Sequence, residues 1–302
     1  VTPASITIQK IRINTLYRFA TEASADPVFK NVLPIPPLRA LAQSKNPNAN
    51  PEDVALLVAF YKNACVGYLG LVPGRLAHQD RFYTVFYVSA FYVPPRYRQR
   101  GIGRRILSEL KKMNLDILVT GMSASGKRAF EQASFKSLGN LIYYQLDFER
   151  LKWSESVFPQ LSLMLKQHTS LFALLKKLNQ GLYSLIQTLF YDLSLISDRA
   201  VRLKFCCHKI DHIPKKRLVS TFANHHSAVF YRGHQVVNWM LNAPWVVSSR
   251  KDHRADTNYF FTSTRDRFEY IALEIRSADN TIVSGHVVFS ISVHNSKTVL
   301  KL

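Results

Sequence analysis

The chain has 302 residues, 47% of them hydrophobic and 20% charged. This composition supports sizeable hydrophobic cores in one or two domains and excludes global disorder. Forty Lys and Arg oppose twenty Asp and Glu, for a formal net charge of +20 that is split evenly between the two halves, so a polyanion is attracted by the whole surface rather than by a basic tail.

In chain order, Ser5–Ile11 alternates apolar and polar residues and reads as a first strand. Thr15 to Leu41 reads as one or two short helices, broken around Pro34, Pro36 and Pro37. Ser44–Asp53, rich in Asn and Pro, is a surface loop. VALLVAFYK and VGYLGLVP, separated by Asn63-Ala64-Cys65, form a hairpin of two buried strands. Phe82–Val93 is a long aromatic and β-branched run, hence a central strand. A helix follows from about Ile102 to Met113, with Ile102, Ile106, Leu107 and Leu110 on one face. DILVTGM is a buried strand and SGKRAFEQASF a short helix that turns Ala129, Phe130 and Ala133 inward. Leu141–Phe148 closes this α/β unit as a last strand, with a boundary near residue 150.

Beyond it, Phe158 to Ile196 is a Leu-rich helical connector with a break at Gly181. Lys166, Lys176 and Lys177 interrupt it, so no transmembrane span is expected. From Arg202 onward a second, smaller α+β domain is expected. VVNWMLNAPWVV is a helix that Pro244 ends, and FEYIALEIRS with TIVSGHVVFSISV is a hairpin around Ala278-Asp279-Asn280. The domain reading is thus 1–150, 151–201 and 202–302.

The chain opens on Val1 rather than Met, as a processed or trimmed chain would, and shows no secretory signal pattern. Three cysteines, Cys65, Cys206 and Cys207, make no disulfide framework, so a reducing, cytoplasmic setting is expected.

The densest basic cluster is FYVPPRYRQRGIGRRIL, Phe91 to Leu107. A strand ends at Val93, two prolines stop ladder pairing, and a helix starts near Gly101. A helix start offers unpaired N–H groups and the positive end of the macrodipole. Glycines at 101 and 103 leave room for an anion to approach the backbone. Arg98, Arg100, Arg104 and Arg105 can add charge-assisted hydrogen bonds. No G-x-x-x-x-G-K-[ST] is present. A dinucleotide fingerprint is excluded too, because Ile106 stands where its third glycine would fall. A pyrophosphate cradle is the reading, with nucleic acid behind it.

The segment Val93-Pro94-Pro95-Arg96-Tyr97-Arg98-Gln99-Arg100-Gly101-Ile102-Gly103 resembles the acyl-CoA loop of the Gcn5-related N-acetyltransferases (GNAT), whose signature is [R/Q]-x-x-G-x-[G/A]. Arg98, Gly101 and Gly103 occupy its fixed positions, and the element order over about 5–148 is similar. The resemblance implies a mixed α/β fold with a mostly antiparallel sheet flanked by helices. It also implies acetyl-CoA, or another acyl-CoA, as co-substrate. Backbone N–H groups of Gln99, Arg100, Gly101, Ile102, Gly103 and Arg104 would hold the pyrophosphate. Phe91, Tyr92 and Val93, at the strand's end, would pair with the pantetheine arm. The implied reaction is direct attack of an amine on the thioester, with a strand N–H polarising the carbonyl and a base and an acid moving protons.

The chain departs from that family at its proton-transfer groups. Aligned on Phe135, Phe130 stands where many members carry an acidic tyrosine, and Ser123 and Ser134 replace an asparagine and a glycine. The strand from Phe82 to Val93 holds no glutamate. His78 and Asp80 could act through water, although a solvated loop is the simpler reading. Tyr143 and Tyr144 suit a core position better than a catalytic one. The catalytic residues are therefore unassigned.

Cys206-Cys207-His208 with His212 lacks the spacing and the second pair of a zinc site, so no metal is expected. No G-x-S-x-G elbow is present. Tyr231–Val246 resembles a segment of the second unit in tandem GNAT proteins, so 202–302 could be a degenerate copy that shapes the acceptor site. The leading expectation is an acyl-CoA-dependent N-acetyltransferase with an unidentified amine acceptor. Its alternatives are a tandem transferase using aminoacyl-tRNA and a non-catalytic acyl-CoA sensor.

Overall fold

The computed structural model describes residues 6–78, 81–137, 139, 145–147, 205–215, 229–243, 245–248, 258–261, 264–277, 280–294 and 297–301. The helical connector, Asp80, Tyr143, Tyr144 and Pro244 lie outside these residues. The chain separates into two compact units that interleave along the sequence. One comprises 1–143 with 211–270, and the other 144–210 with 271–302.

The first unit opens with β1 (Thr7–Arg12) and α1 (Ile13–Ala25). A single 3-10 turn at Pro27–Phe29 follows, then α2 (Pro37–Ser44), which starts on the last proline of the cluster. Proline suits that first helical position because the N–H it lacks would be unpaired there. Strands β2 (Val54–Tyr61) and β3 (Ala64–His78) form the expected hairpin. Its two-residue turn is Lys62-Asn63, both left-handed with φ of 48° and 60°. That geometry matches strand twist. Next come β4 (Arg81–Tyr92), α3 (Ile102–Lys112), β5 (Ile117–Leu118) and α4 (Ala124–Gln132).

The sheet order is β1-β2-β3-β4-β5, antiparallel except for β4 with β5. Both faces are covered, which explains the continuous apolar run of β2. Leu56 and Val58 enter a core with Leu16 and Ala20 of α1. Leu57 and Ala59 enter the opposite core with Ile102, Ile106, Leu107 and Leu110 of α3 and Phe130 of α4. The mixed α+β architecture of helices around a mostly antiparallel sheet is the one expected.

Three features differ from the sequence reading. First, β5 is only two residues long, because its neighbour β4 leaves it after Tyr87. Second, the strand expected to close the first sheet, β6 (Gln145–Asp147), pairs instead with β13 (Lys297–Lys301). Third, β8 (Val229–Tyr231), from the segment assigned by sequence to the last domain, pairs antiparallel with β3 of the first sheet, Arg75 opposite Tyr231. It takes the half of β3 that β2 does not reach, since β2 ends its pairing at Gly70. Backbone groups there would otherwise be unpaired.

Behind β8, α5 (His234–Asn242) is anchored to α2. The Trp239 indole Nε1 donates to the Ala42 carbonyl at 2.7 Å. Asn238, buried, accepts from the Ile213 amide at 2.7 Å and donates to the Ile213 carbonyl at 2.9 Å. Two short parallel strands, β9 (Val247–Ser248) and β10 (Thr264–Arg265), complete this part.

The second unit holds a five-stranded sheet, ordered β6-β13-β12-β11-β7, with β7 (Phe205–Ile210), β11 (Arg267–Ser277) and β12 (Val283–His294). The expected β11–β12 hairpin is present, closed by the Ser277 amide donating to the Ile282 carbonyl at 2.8 Å, with Asn280 left-handed. Cys206 sits on β7 with its Sγ 3.5 Å from His208 Nε2 and 3.4 Å from the Ser277 carbonyl. Among the described residues no group of three or more His, Cys, Asp or Glu could hold a metal. None of their helices is long and apolar enough to cross a membrane.

Candidate acyl-donor and acceptor site

The site is built where β4 parts from its neighbour. β4 pairs with β5 at Phe86–Ile117 and Tyr87–Leu118, with the Phe86 amide donating to the Asp116 carbonyl at 2.8 Å. Past Tyr87, β4 runs five residues further to Tyr92, while β5 ends at Leu118. Among the described residues no strand pairs with β4 on that side beyond this point. On the other side the β3–β4 register jumps from Gly70–Ala90 to Leu71–Val88, so Ser89 is bulged. A bulge bends its strand and breaks the ladder locally, which helps β4 swing away from β5.

Side chains at the end of β4 alternate as strand geometry demands. Phe91 and Val93 pack toward α3. Tyr92 turns to the other face and stacks on Phe260, with ring centroids 4.1 Å apart. The chain then turns through Pro94, Pro95 and a 3-10 turn into α3. Arg98 donates from Nε to the Val93 carbonyl at 3.1 Å and so ties the loop to the strand it leaves. Arg96 and Arg100 both approach the Tyr97 ring, at 4.9 and 6.0 Å.

Two loop residues are left-handed, Gln99 at φ 62° and Gly101 at φ 76°. Gly101 is the N-cap of α3 and supplies no side-chain cap. The first turn of the helix contains no acidic residue but carries Arg104 and Arg105. Cations at the positive end of a helix dipole are unfavourable by themselves. An anion seated there would offset both the uncapped amides and the crowded arginines.

The two glycines differ. A Cβ on Gly101 would meet nothing within 4 Å, so the space above it is open. A Cβ on Gly103 would lie 3.3 Å from Phe91 Cζ, so that glycine chiefly lets α3 approach the β4 end. Gly103 and Arg104 line a cavity of about 790 Å³ between α3 and α4, together with Lys111, Lys112, Ala129 and Gln132. Ile102 is buried in the core below, 3% exposed, so only its backbone can face a ligand. Gln99, Arg100 and Gly101 are exposed at the loop's rim.

Phe130, at the position of the family tyrosine, is 3% exposed. It meets Phe91 and Phe135 edge to face at 5.5 and 5.0 Å, so its role is packing. His78 lines neither this cavity nor the one described next.

A second cavity, about 390 Å³, opens at the parting of β4 and β5. Tyr87, Val88 and Ser89 of β4 and Thr120 after β5 border it, with Arg39 and Gln43 from α2. The 229–248 segment contributes Tyr231, Arg232, Trp239 and Trp245. These residues escaped the sequence reading. The only signal was the Tyr231–Val246 resemblance, which pointed to a second copy rather than to this cavity. Burial pushes the Tyr87 phenol above its ordinary pKa, and the nearby Arg232 charge opposes the rise.

Residues 19–114, which run from within α1 to the end of α3, match the model of the acetyltransferase (GNAT) family. Structural comparison places an aminoglycoside N-acetyltransferase solved with CoA alongside the chain at 13% identity and a TM-score of 0.34, covering 48% of this chain and 97% of that one. A predicted acetyltransferase with acetyl-CoA from Clostridium acetobutylicum aligns at 14% identity and TM-score 0.31, covering 46% of this chain and 94% of that one. A probable N-acyltransferase of unknown function from Enterococcus faecalis V583 aligns at 10% identity and TM-score 0.40, over 94% of this chain and 55% of that one. A search of curated proteins found no match.

Proposed function

We propose that the first unit is an acyl-CoA-dependent N-acetyltransferase that binds its donor over the start of α3 and its amine acceptor in the cavity beside β4. The observation that carries this reading is the uncapped N-terminus of α3, with two arginines and no acid in its first turn. The match of 19–114 to the GNAT family model supports the chemistry.

In this reading the amides from Gln99 to Arg104 hold the pyrophosphate, with Arg104 and Lys111 adding charge from the cavity wall. The donor supplies an acyl thioester, whose carbonyl is a good electrophile and whose thiolate is a good leaving group. The β4 edge, which no described strand pairs beyond Tyr87, offers backbone N–H groups to the pantetheine amides and to the thioester oxygen, where negative charge develops. The amine nitrogen forms a bond to the carbonyl carbon, the carbon–sulfur bond breaks, and the nitrogen gives its proton to solvent. With Phe130 unable to donate, solvent protonates the departing thiolate.

The test is thermal unfolding of the whole chain with acetyl-CoA and longer acyl-CoAs. Ligand at about a hundred times its Kd adds roughly 2.7 kcal/mol, an upward shift of several degrees. Arg104→Glu, at an exposed position, should lose most of that shift without lowering the ligand-free Tm. Absence of a shift with any acyl-CoA, from folded wild-type protein, overturns the proposal. Thiol release with an amine panel then separates an enzyme from an acyl-CoA sensor.

A further inference from the structure

The cavity beside β4 has an unusual charge balance. Among the described residues that line it, three are arginines, Arg39, Arg75 and Arg232, and none is Asp or Glu. Arg39 is the telling one, because it is only 9% exposed. Its guanidinium lies 5.7 Å from the Tyr259 ring centroid and donates from Nη2 to the Ser89 carbonyl at a long 3.5 Å. Among the described residues no carboxylate lies within ion-pair distance of it. A buried cation without a counter-ion is costly unless something neutralises it.

The positions of the other groups agree. Arg232 stands close enough to Tyr87 to oppose the rise that burial imposes on that phenol. Arg39 acts likewise on Tyr259, and both arginines act on Tyr270. Gln43, 3% exposed, also lines the cavity, and its buried Oε1 accepts no hydrogen bond among the described residues. The same wall carries Trp239 and Trp245, with ring centroids 5.2 Å apart.

We propose that the acceptor is a small amine that also bears an oxyanion, a carboxylate or a phosphate, which the cavity's arginines neutralise while the tryptophan wall receives an apolar part. This rests on the acetyltransferase reading for the fate of the amine, but not for its binding. Ser89, whose carbonyl Arg39 engages, is the bulged residue at the edge where the thioester would lie. The anion is thereby held beside the reacting end of the donor. Among the described lining residues a polycationic amine meets three like charges and no carboxylate, and is disfavoured.

The experiment is tryptophan fluorescence titration of the full chain, first without any acyl-CoA. The probes are L-phenylalanine, L-phenylalaninamide, phenethylamine, O-phosphoethanolamine and kanamycin. Phenylalanine or phosphoethanolamine should bind at least tenfold more tightly than phenylalaninamide, phenethylamine and kanamycin, and whichever wins identifies the oxyanion. Arg232→Gln and Arg75→Gln, both at exposed positions, should each weaken the winner by about tenfold. They should leave the neutral-tailed amines and the acetyl-CoA thermal shift unchanged.

Equal or tighter binding of phenylalaninamide, phenethylamine or kanamycin overturns the inference. So does the absence of binding by every probe at 10 mM, taken as an upper concentration of about a hundred times a sub-millimolar Kd. Anion-selective binding that persists in a protein with no acyl-CoA shift would refute the acetyltransferase reading and leave this one standing.

Discussion

Alanine at each of the two loop glycines separates two physical roles within one short motif. At Gly101 the backbone is left-handed, with φ 76°, and an added Cβ has nothing within 4 Å to strike. The cost of Gly101→Ala is therefore conformational alone, about 1–2 kcal/mol. At Gly103 no left-handed φ is involved, and the Cβ would sit 3.3 Å from Phe91 Cζ and 4.0 Å from Val93 Cγ2. The Phe91 ring is half-buried and meets Phe130 by an edge-to-face contact, so it can yield by a few tenths of an ångström. Against that strain stands the better helix propensity of alanine, worth up to about 1 kcal/mol. Gly103→Ala should consequently change stability by less than about 1 kcal/mol, since strain and propensity oppose each other. Urea unfolding followed by circular dichroism measures both. With a slope near 3 kcal/mol/M, Gly101→Ala should lower the midpoint by about 0.5 M, and Gly103→Ala should move it by less than about 0.3 M. A larger loss at Gly103 than at Gly101 would refute this division of roles, as would a Gly101→Ala protein as stable as the wild type.

Three further outcomes are expected. Phe130→Ala should cost about 3–5 kcal/mol in urea unfolding, the range for removing a buried aromatic ring, whereas a small loss with retained fold would mean the residue does not hold α4 to α3. Trp239→Phe removes the indole donor to the Ala42 carbonyl and should cost about 1–2 kcal/mol; an unchanged midpoint would show that α5 is not tied to α2 by that bond. Cys65 is 2% exposed, and burial raises its thiol from 9.0 to about 12. The unfolded chain loses that proton near pH 9 while the folded chain keeps it. Its contribution is thus whole below pH 9 and is lost as pH rises toward 12, by at most about 1.4 kcal/mol per pH unit. Urea midpoints at pH 8 and 10 should therefore fall less in Cys65→Ala than in the wild type, and equal falls would refute the assignment.

Local chemistry made much of the first unit legible. The β2–β3 hairpin, although its turn falls at Lys62-Asn63 rather than at Asn63-Ala64-Cys65, the apolar face of α3, and the proline stop after β4 all act over a few residues. So does the start of α3 at Gly101–Arg104, because a helix N-terminus, two glycines and a cluster of arginines need no distant partner to be recognised. The two-sided burial of β2 showed in its unbroken apolar run, and the missing tyrosine and glutamate showed as plain substitutions.

Tertiary structure decided what depends on partners far apart in the chain. Hydrophobic pattern marks a strand without naming the edge it joins, so β6 was legible as a strand but not as the partner of β13. β8 likewise carried no mark of its place on β3, 156 positions away at the Arg75–Tyr231 pair. The cavity beside β4 is the clearest case. Arg39 looks like one more surface cation in the sequence, yet folding buries it beside the Ser89 bulge, opposite Arg232 and two tryptophans from the far end of the chain. A charge gains meaning from its neighbours and from lost water, and both are set only when distant segments meet. The sequence marked the glycine- and arginine-rich start of α3; the fold decided which distant side chains stand beside β4.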